Sequence, residues 1–157
     1  MDFPRRIYTI EEFMKARECL KKGHKHRLKV VGSINFKNNV KKIQSLLRIT
    51  NYYNFIRTYI RKIMEIEGIS QLRETEATVW LNNYLIDNPV EGARFVVQKA
   101  QQMKDYLEGN QYYEKGEKTS IEKSIEFLRE LERRRISDSL KEKCKELIIQ
   151  WTEEKVL

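Results

Sequence analysis

Most apolar positions in this chain recur at helical spacing. Between residues 33 and 47, Phe36, Val40, Ile43, Leu46 and Leu47 follow the i, i+3, i+4, i+7 rule, with Lys37, Asn38, Lys41, Lys42 and Ser45 opposite them. That is the pattern of a helix with one face in a core. Upstream, Thr9-Ile10-Glu11-Glu12 reads as a capping box that opens a helix running to Gly23, with Ile10, Phe13, Met14 and Leu20 on one side. Thr50-Asn51 opens another, whose stripe is Tyr52, Phe55, Ile56, Tyr59, Ile60, Ile63 and Met64 and whose end is Gly68. Ser70 and Glu74 begin the next. There Leu72, Val79, Trp80, Leu81, Tyr84, Leu85 and Ile86 spread around most of the circumference up to Asp87, as expected of a central helix.

Asn88-Pro89 gives a stop and a restart, with Pro89 at the first helical position, where its missing N–H is harmless. Val90, Ala93, Val96, Val97, Ala100, Met103 and Leu107 form the following stripe, closed by Gly109. Thr119 or Ser120 caps a helix with Ile121, Ile125, Leu128 and Leu131 inward. Ser137-Asp138 starts the last, with Leu140, Cys144, Leu147, Ile148 and Trp151 inward. The stretch Arg27-Leu28-Lys29-Val30-Val31 looks extended, but no second clear strand is there to pair with it, so it reads as an ordered loop. The expectation is an all-α fold, a single-domain multi-helix bundle or short α-solenoid of about seven helices. Residues 110–119 are the one candidate linker, and no fixed-period repeat is visible.

Composition supports this picture: 157 residues suit one domain, and six glycines and two prolines leave few chain breakers. Charge changes it. The net +8 is unevenly spread, with 13 basic against 4 acidic side chains in residues 1–50 and 18 against 19 in residues 51–157. The chain therefore divides into a basic N-terminal third and a charge-balanced helical scaffold. No apolar run follows Met1-Asp2-Phe3-Pro4-Arg5-Arg6, and none approaches the ~20 residues of a membrane span, so the expected location is the cytoplasm. Cys19 and Cys144, far apart in sequence, fit two reduced, buried thiols there.

The segment over residues 140–151 resembles the last helix of VHS-type and of elongation-factor N-terminal helical domains. The resemblance implies a right-handed helical superhelix that binds short peptides. It is confined to that segment, the upstream sequence follows neither pattern, and no family is assigned from it.

Two groups of residues are candidate sites. The first is the basic third, in which Lys22, His24, Lys25, His26, Arg27, Lys29, Lys37, Lys41 and Lys42 can meet phosphates and release their counterions. Cys19, His24 and His26 have a compact zinc-like spacing, but a fourth ligand is missing nearby and the flanking lysines repel a cation, so no metal is expected. The second group is Arg57, Arg61, Arg73, Glu74 and Trp80. It reads either as an internal network, in which Glu65 or Glu74 pairs an arginine, or as a pocket for a phosphate or carboxylate. Neither a Gly-rich phosphate loop nor a nucleophile elbow is present, and Glu65, Glu67, Glu74 and Glu76 do not match the ExxE…ExxD magnesium pattern of helical pyrophosphatases. No catalytic residue or cofactor is therefore expected. The leading expectation is a non-catalytic module that engages an anionic partner, nucleic acid or acidic protein, through its basic third. A helical protein–protein scaffold or homo-oligomer is the alternative, followed by a ligand-binding protein or enzyme built on the arginine pocket.

Overall fold

The computed structural model describes residue 14, residues 27–110 and residues 115–156. Strand β1 (Lys29–Val31) leads into α1 (Ile34–Ile49) and α2 (Tyr53–Tyr59), then β2 (Lys62–Glu65). Strand β3 (Gln71–Arg73), a 3-10 turn (Glu74–Glu76), β4 (Thr78–Leu81) and the short α3 (Asn83–Ile86) follow. Three long helices complete the described chain: α4 (Pro89–Leu107), α5 (Lys115–Glu132) and α6 (Asp138–Val156). The strands form one sheet in the order β1-β2-β4-β3, with β1, β2 and β4 parallel and β3 antiparallel at the edge.

The all-α expectation is thereby overturned: the fold is α/β, with six helices and a four-stranded mixed sheet among the described residues. Two of the expected helices contain the strands. The helix expected to reach Gly68 stops at Tyr59, where Ile60 turns extended (φ −111°, ψ 130°), and residues 62–65 pair with β1 on one side and β4 on the other. The helix expected over 70–87 is broken by Ala77 in the left-handed region (φ 49°), between the 3-10 turn and β4. Apolar residues on most sides, read as the mark of a central helix, belong instead to β3, to β4, where Val79 and Leu81 are buried and Trp80 half-buried, and to the short α3. With β2 as its partner, the extended stretch around Lys29 becomes β1 rather than a loop. The superhelix implied by the resemblance of residues 140–151 is not formed either.

The expected caps are a mixed result. Thr50 ends α1 instead of opening a helix, Ser70 opens none, and Thr119 and Ser120 lie inside α5. The helix expected from Thr9 to Gly23 falls outside the described residues except Met14. Three expected starts are capped. Ser33 caps α1 by accepting the Phe36 N–H at 3.2 Å, and Asn88 caps α4 by accepting those of Val90 and Glu91, with Pro89 in the first turn. Ser137 accepts the Leu140 N–H to open α6. Helix α5 begins at Lys115, inside the segment expected as linker, whose residues 111–114 lie outside the described residues.

One buried cluster joins the inward row Ile63, Leu72 and Val79 of the sheet to Phe36, Val40, Ile43 and Leu47 of α1 and to the apolar stripe of α4. The central helix is α4. It packs on α1 through Gly92, where an added Cβ would lie 2.5 Å from Ile43 Cδ1, and the α5–α6 hairpin covers its other side with Phe127, Leu128, Leu131, Cys144 and Leu147. Cys144 is buried and unpaired in a disulfide; Cys19 lies outside the described residues. Among the described residues no helix is long and apolar enough to cross a membrane.

Candidate anion-binding face

The buried positions of α1 set the phase of its outer side. With Phe36, Val40, Ile43, Leu46 and Leu47 turned inward, Lys37, Lys41, Lys42 and Arg48 are exposed, alternating with Asn35, Asn38 and Ser45. The helix holds no Asp or Glu, and from Arg27 to Met64 the sequence has nine Lys or Arg and no carboxylate at all. Ion pairs among the described side chains include Glu91–Arg94 on α4, Lys123–Glu126 on α5 and Lys143–Glu146 on α6.

The sheet gathers further cations. Because β1, β2 and β4 are parallel, their first residues line up, and the register places Lys29, Lys62, Thr78 and Arg73 in one row across all four strands. Directly opposed residues share a face, which here is the one turned away from Ile63 and Val79. Arg61 lies at the same edge: its N–H donates to the Ala77 carbonyl (2.9 Å) and its carbonyl accepts from the Lys29 N–H (3.0 Å). Arg27, Lys29 and Arg61 are exposed and Lys62 is half-buried. The crossover from β1 to β2 must return the chain to this edge, and α2 does so with a stack in which the guanidinium of Arg48 lies 4.3 Å from the Tyr53 ring centroid and that of Arg57 5.7 Å from it. The other α2 aromatics serve the core side. Tyr52 packs edge-on against Phe127 and Phe55 against Tyr59, and burial, then Glu126, raises the Tyr52 hydroxyl pKa.

Of the first group of sequence candidates, Lys37, Lys41 and Lys42 are exposed on the outer side of α1, and Arg27 and Lys29 lie at the start of β1, with Lys29 on the sheet face turned away from α1, while Lys22, His24, Lys25 and His26 lie outside the described residues. The second group is redistributed. Arg57 goes to Tyr53, Arg61 stands at the strand start, and Arg73 is buried with its guanidinium 4.3 Å from the Trp80 ring and Nη1 donating to Gln71 Oε1 (3.1 Å). Glu74 sits in the 3-10 turn; burial lowers the Lys99 pKa, and the charges of Glu117 and Glu74 oppose that shift. The expected Glu65–arginine pair is replaced: Glu65 accepts from the Ser33 N–H (2.9 Å) and from Asn83 Nδ2 at the opposite, carboxyl edge of the strands. Among the described residues no group of three or more His, Cys, Asp or Glu side chains is placed to hold a metal ion.

Sequence reading missed three features. Lys62 was hidden inside an expected helix, and the Arg48–Tyr53–Arg57 stack needs the turn at Asn51 (φ 65°) to form. The third is the carboxyl edge, where Ile34 at the start of α1, Ile69 in the β2–β3 loop and Tyr84 in α3 are 81%, 81% and 92% exposed, and where Ser33–Glu65–Asn83 and Asn82 Nδ2, donating to the Glu67 and Gly68 carbonyls, tie the segments together. A shallow cavity of about 220 Å³ opens there between Asn83, Tyr84 and Asp87. Comparison with protein-family models, curated proteins and solved structures gives no match to the chain.

Proposed function

We propose that this protein is a non-catalytic module that binds nucleic acid through the cations of α1, of the start of α2 and of the first residues of β1 and β2. The observation that carries the reading is the acid-free stretch from Arg27 to Met64, whose exposed cations lie along α1 and at one sheet edge. Lys and Arg along such a surface displace counterions from a phosphate backbone, giving affinity that falls steeply with salt and is largely independent of sequence. The Arg48–Tyr53–Arg57 stack adds flat surfaces on which a base can lie. The direct test is fluorescence anisotropy of a labelled oligonucleotide with the full chain across a salt series. Binding that weakens steeply with salt and is abolished by Lys37→Glu with Lys41→Glu supports the reading; no binding at low salt sinks it.

A second reading, a protein–protein contact or homo-oligomer, is favoured by the carboxyl edge. Ile34, Ile69 and Tyr84 stand exposed on segments joined by hydrogen bonds, and exposed apolar side chains held in place suit an interface. Light scattering during size-exclusion chromatography tests it: a dimer split by Tyr84→Asp favours self-association, and a monomer at high concentration excludes it.

A further inference from the structure

Lys29 and Lys62 are cross-strand partners on the parallel neighbours β1 and β2. Adjacent strands lie ~4.8 Å apart and opposed side chains leave the same face, so both ammonium groups are within reach of one phosphate. Like charges at opposed positions repel; the sequence from Arg27 to Met64 holds no carboxylate, and those at this edge come from the turn Glu74–Glu76, beyond β2 in the strand order. The next residues in the row do not relieve the repulsion. Thr78 spends its hydroxyl on the Glu76 carbonyl (3.1 Å), and Arg73, itself cationic, lies over Trp80. Lys29 is exposed and Lys62 half-buried, so the pair is open to solvent on one side. A half-buried strand position flanked by Ile63 favours an apolar or β-branched residue, and two opposed lysines there weaken the free protein.

We propose that Lys29 and Lys62 form a seat for a phosphate group. Its oxygens accept from both ammonium groups and cancel their repulsion, so the seat is strained when empty and relaxed when filled. The inference deepens the nucleic-acid reading and rests on it for the source of the phosphate, the backbone of a bound strand.

The test uses the full-length protein, Lys62→Met and Lys29→Met, with a labelled 20-nucleotide oligothymidylate and inorganic pyrophosphate as separate probes. Each variant is expected to melt at a higher temperature than the wild type in low salt, yet to bind the oligonucleotide roughly tenfold more weakly, with a salt slope shallower by about 1. Wild-type binding whose slope both variants leave unchanged overturns the seat and leaves the nucleic-acid reading intact. If the oligonucleotide fails to bind but pyrophosphate raises the melting temperature of the wild type and of neither variant, the seat stands and takes a free phosphate, and the nucleic-acid reading falls. No response to either probe overturns both.

Discussion

The guanidinium of Arg94 lies 3.9 Å from the centroid of the Trp151 ring while its Nε and Nη2 hold the carboxylate of Glu91 at 2.7–3.1 Å. Gln98 and Ser124 take Nη1, so this fully buried arginine on α4 is bound along its whole edge and roofed by the last helix. The two partners of the ion pair differ in access to water, with the Arg94 side chain 2% and the Glu91 side chain 19% exposed.

That difference sets an order of damage. Glu91→Leu strands a cation deep in the α4–α5–α6 junction and is expected to cost about 3–5 kcal/mol, the range for breaking a buried pair. Arg94→Leu leaves a carboxylate that can turn toward solvent and is expected to cost clearly less, in part by loss of the Trp151 contact. Urea unfolding of the two variants checks the order. Equal losses, or a greater loss for Arg94→Leu, would show that the stack and the Gln98 and Ser124 bonds outweigh the ion pair.

On the basic face, charge and planarity can be separated at Arg48. Arg48→Lys keeps the charge but removes the flat guanidinium that covers Tyr53. If bases stack on this platform, affinity for heparin stays within about twofold, while affinity for a single-stranded oligonucleotide drops severalfold. A parallel drop for both polyanions would mean that Arg48 acts through its position alone and that no base is stacked there.

Gly92 is a packing requirement rather than a matter of backbone freedom. A methyl group at this position would meet Ile43 Cδ1 at 2.5 Å and Ile86 Cγ2 at 3.2 Å, in the contact that joins α1 to α4. Gly92→Ala, which would favour an isolated helix, is therefore expected to destabilise the protein by about 1–3 kcal/mol. Adding Ile43→Val, which removes the clashing δ-carbon, should recover part of the loss. Thermal melts of the single and double variants measure that coupling, and no recovery would place the strain elsewhere.

The starts of α1, α4 and α6 were legible because their signals are local. Ser33, Asn88-Pro89 and Ser137-Asp138 announce their helices within four residues, and the inward positions of α1 and α4 follow one period. The sheet was not, because its strands are three or four residues long and their partners are distant: Lys29 pairs with Lys62, and Lys62 with Thr78. Within Lys62–Glu65 a single buried isoleucine continues the helical spacing of α2, so periodicity alone favoured the wrong element. The same distance hid half of the site. The α1 lysines could be read from one helical stripe, whereas the Lys29–Lys62 pair and the Arg48–Tyr53–Arg57 stack exist only once the crossover has brought those segments to one edge.

Asp105 gives a prediction in pH. It is buried on α4, where desolvation raises its pKa; Gln101 Nε2, donating at 3.2 Å, opposes the shift and the charge of Glu108 adds to it. The folded protein therefore holds this proton to a higher pH than the unfolded chain. Between the two values the native state binds more protons, so its stability falls as pH rises through that window and stays lower above it. Asp105→Asn keeps an acceptor for Gln101 and carries no charge. It is expected to melt above the wild type at pH 7, with the gap closing as pH falls through the window and below about 4, where the aspartate becomes neutral in the unfolded state as well. A melting-temperature series from pH 3 to 8 tests this, and a variant less stable than the wild type at pH 7 would show that the ionised carboxylate is held by attraction rather than tolerated.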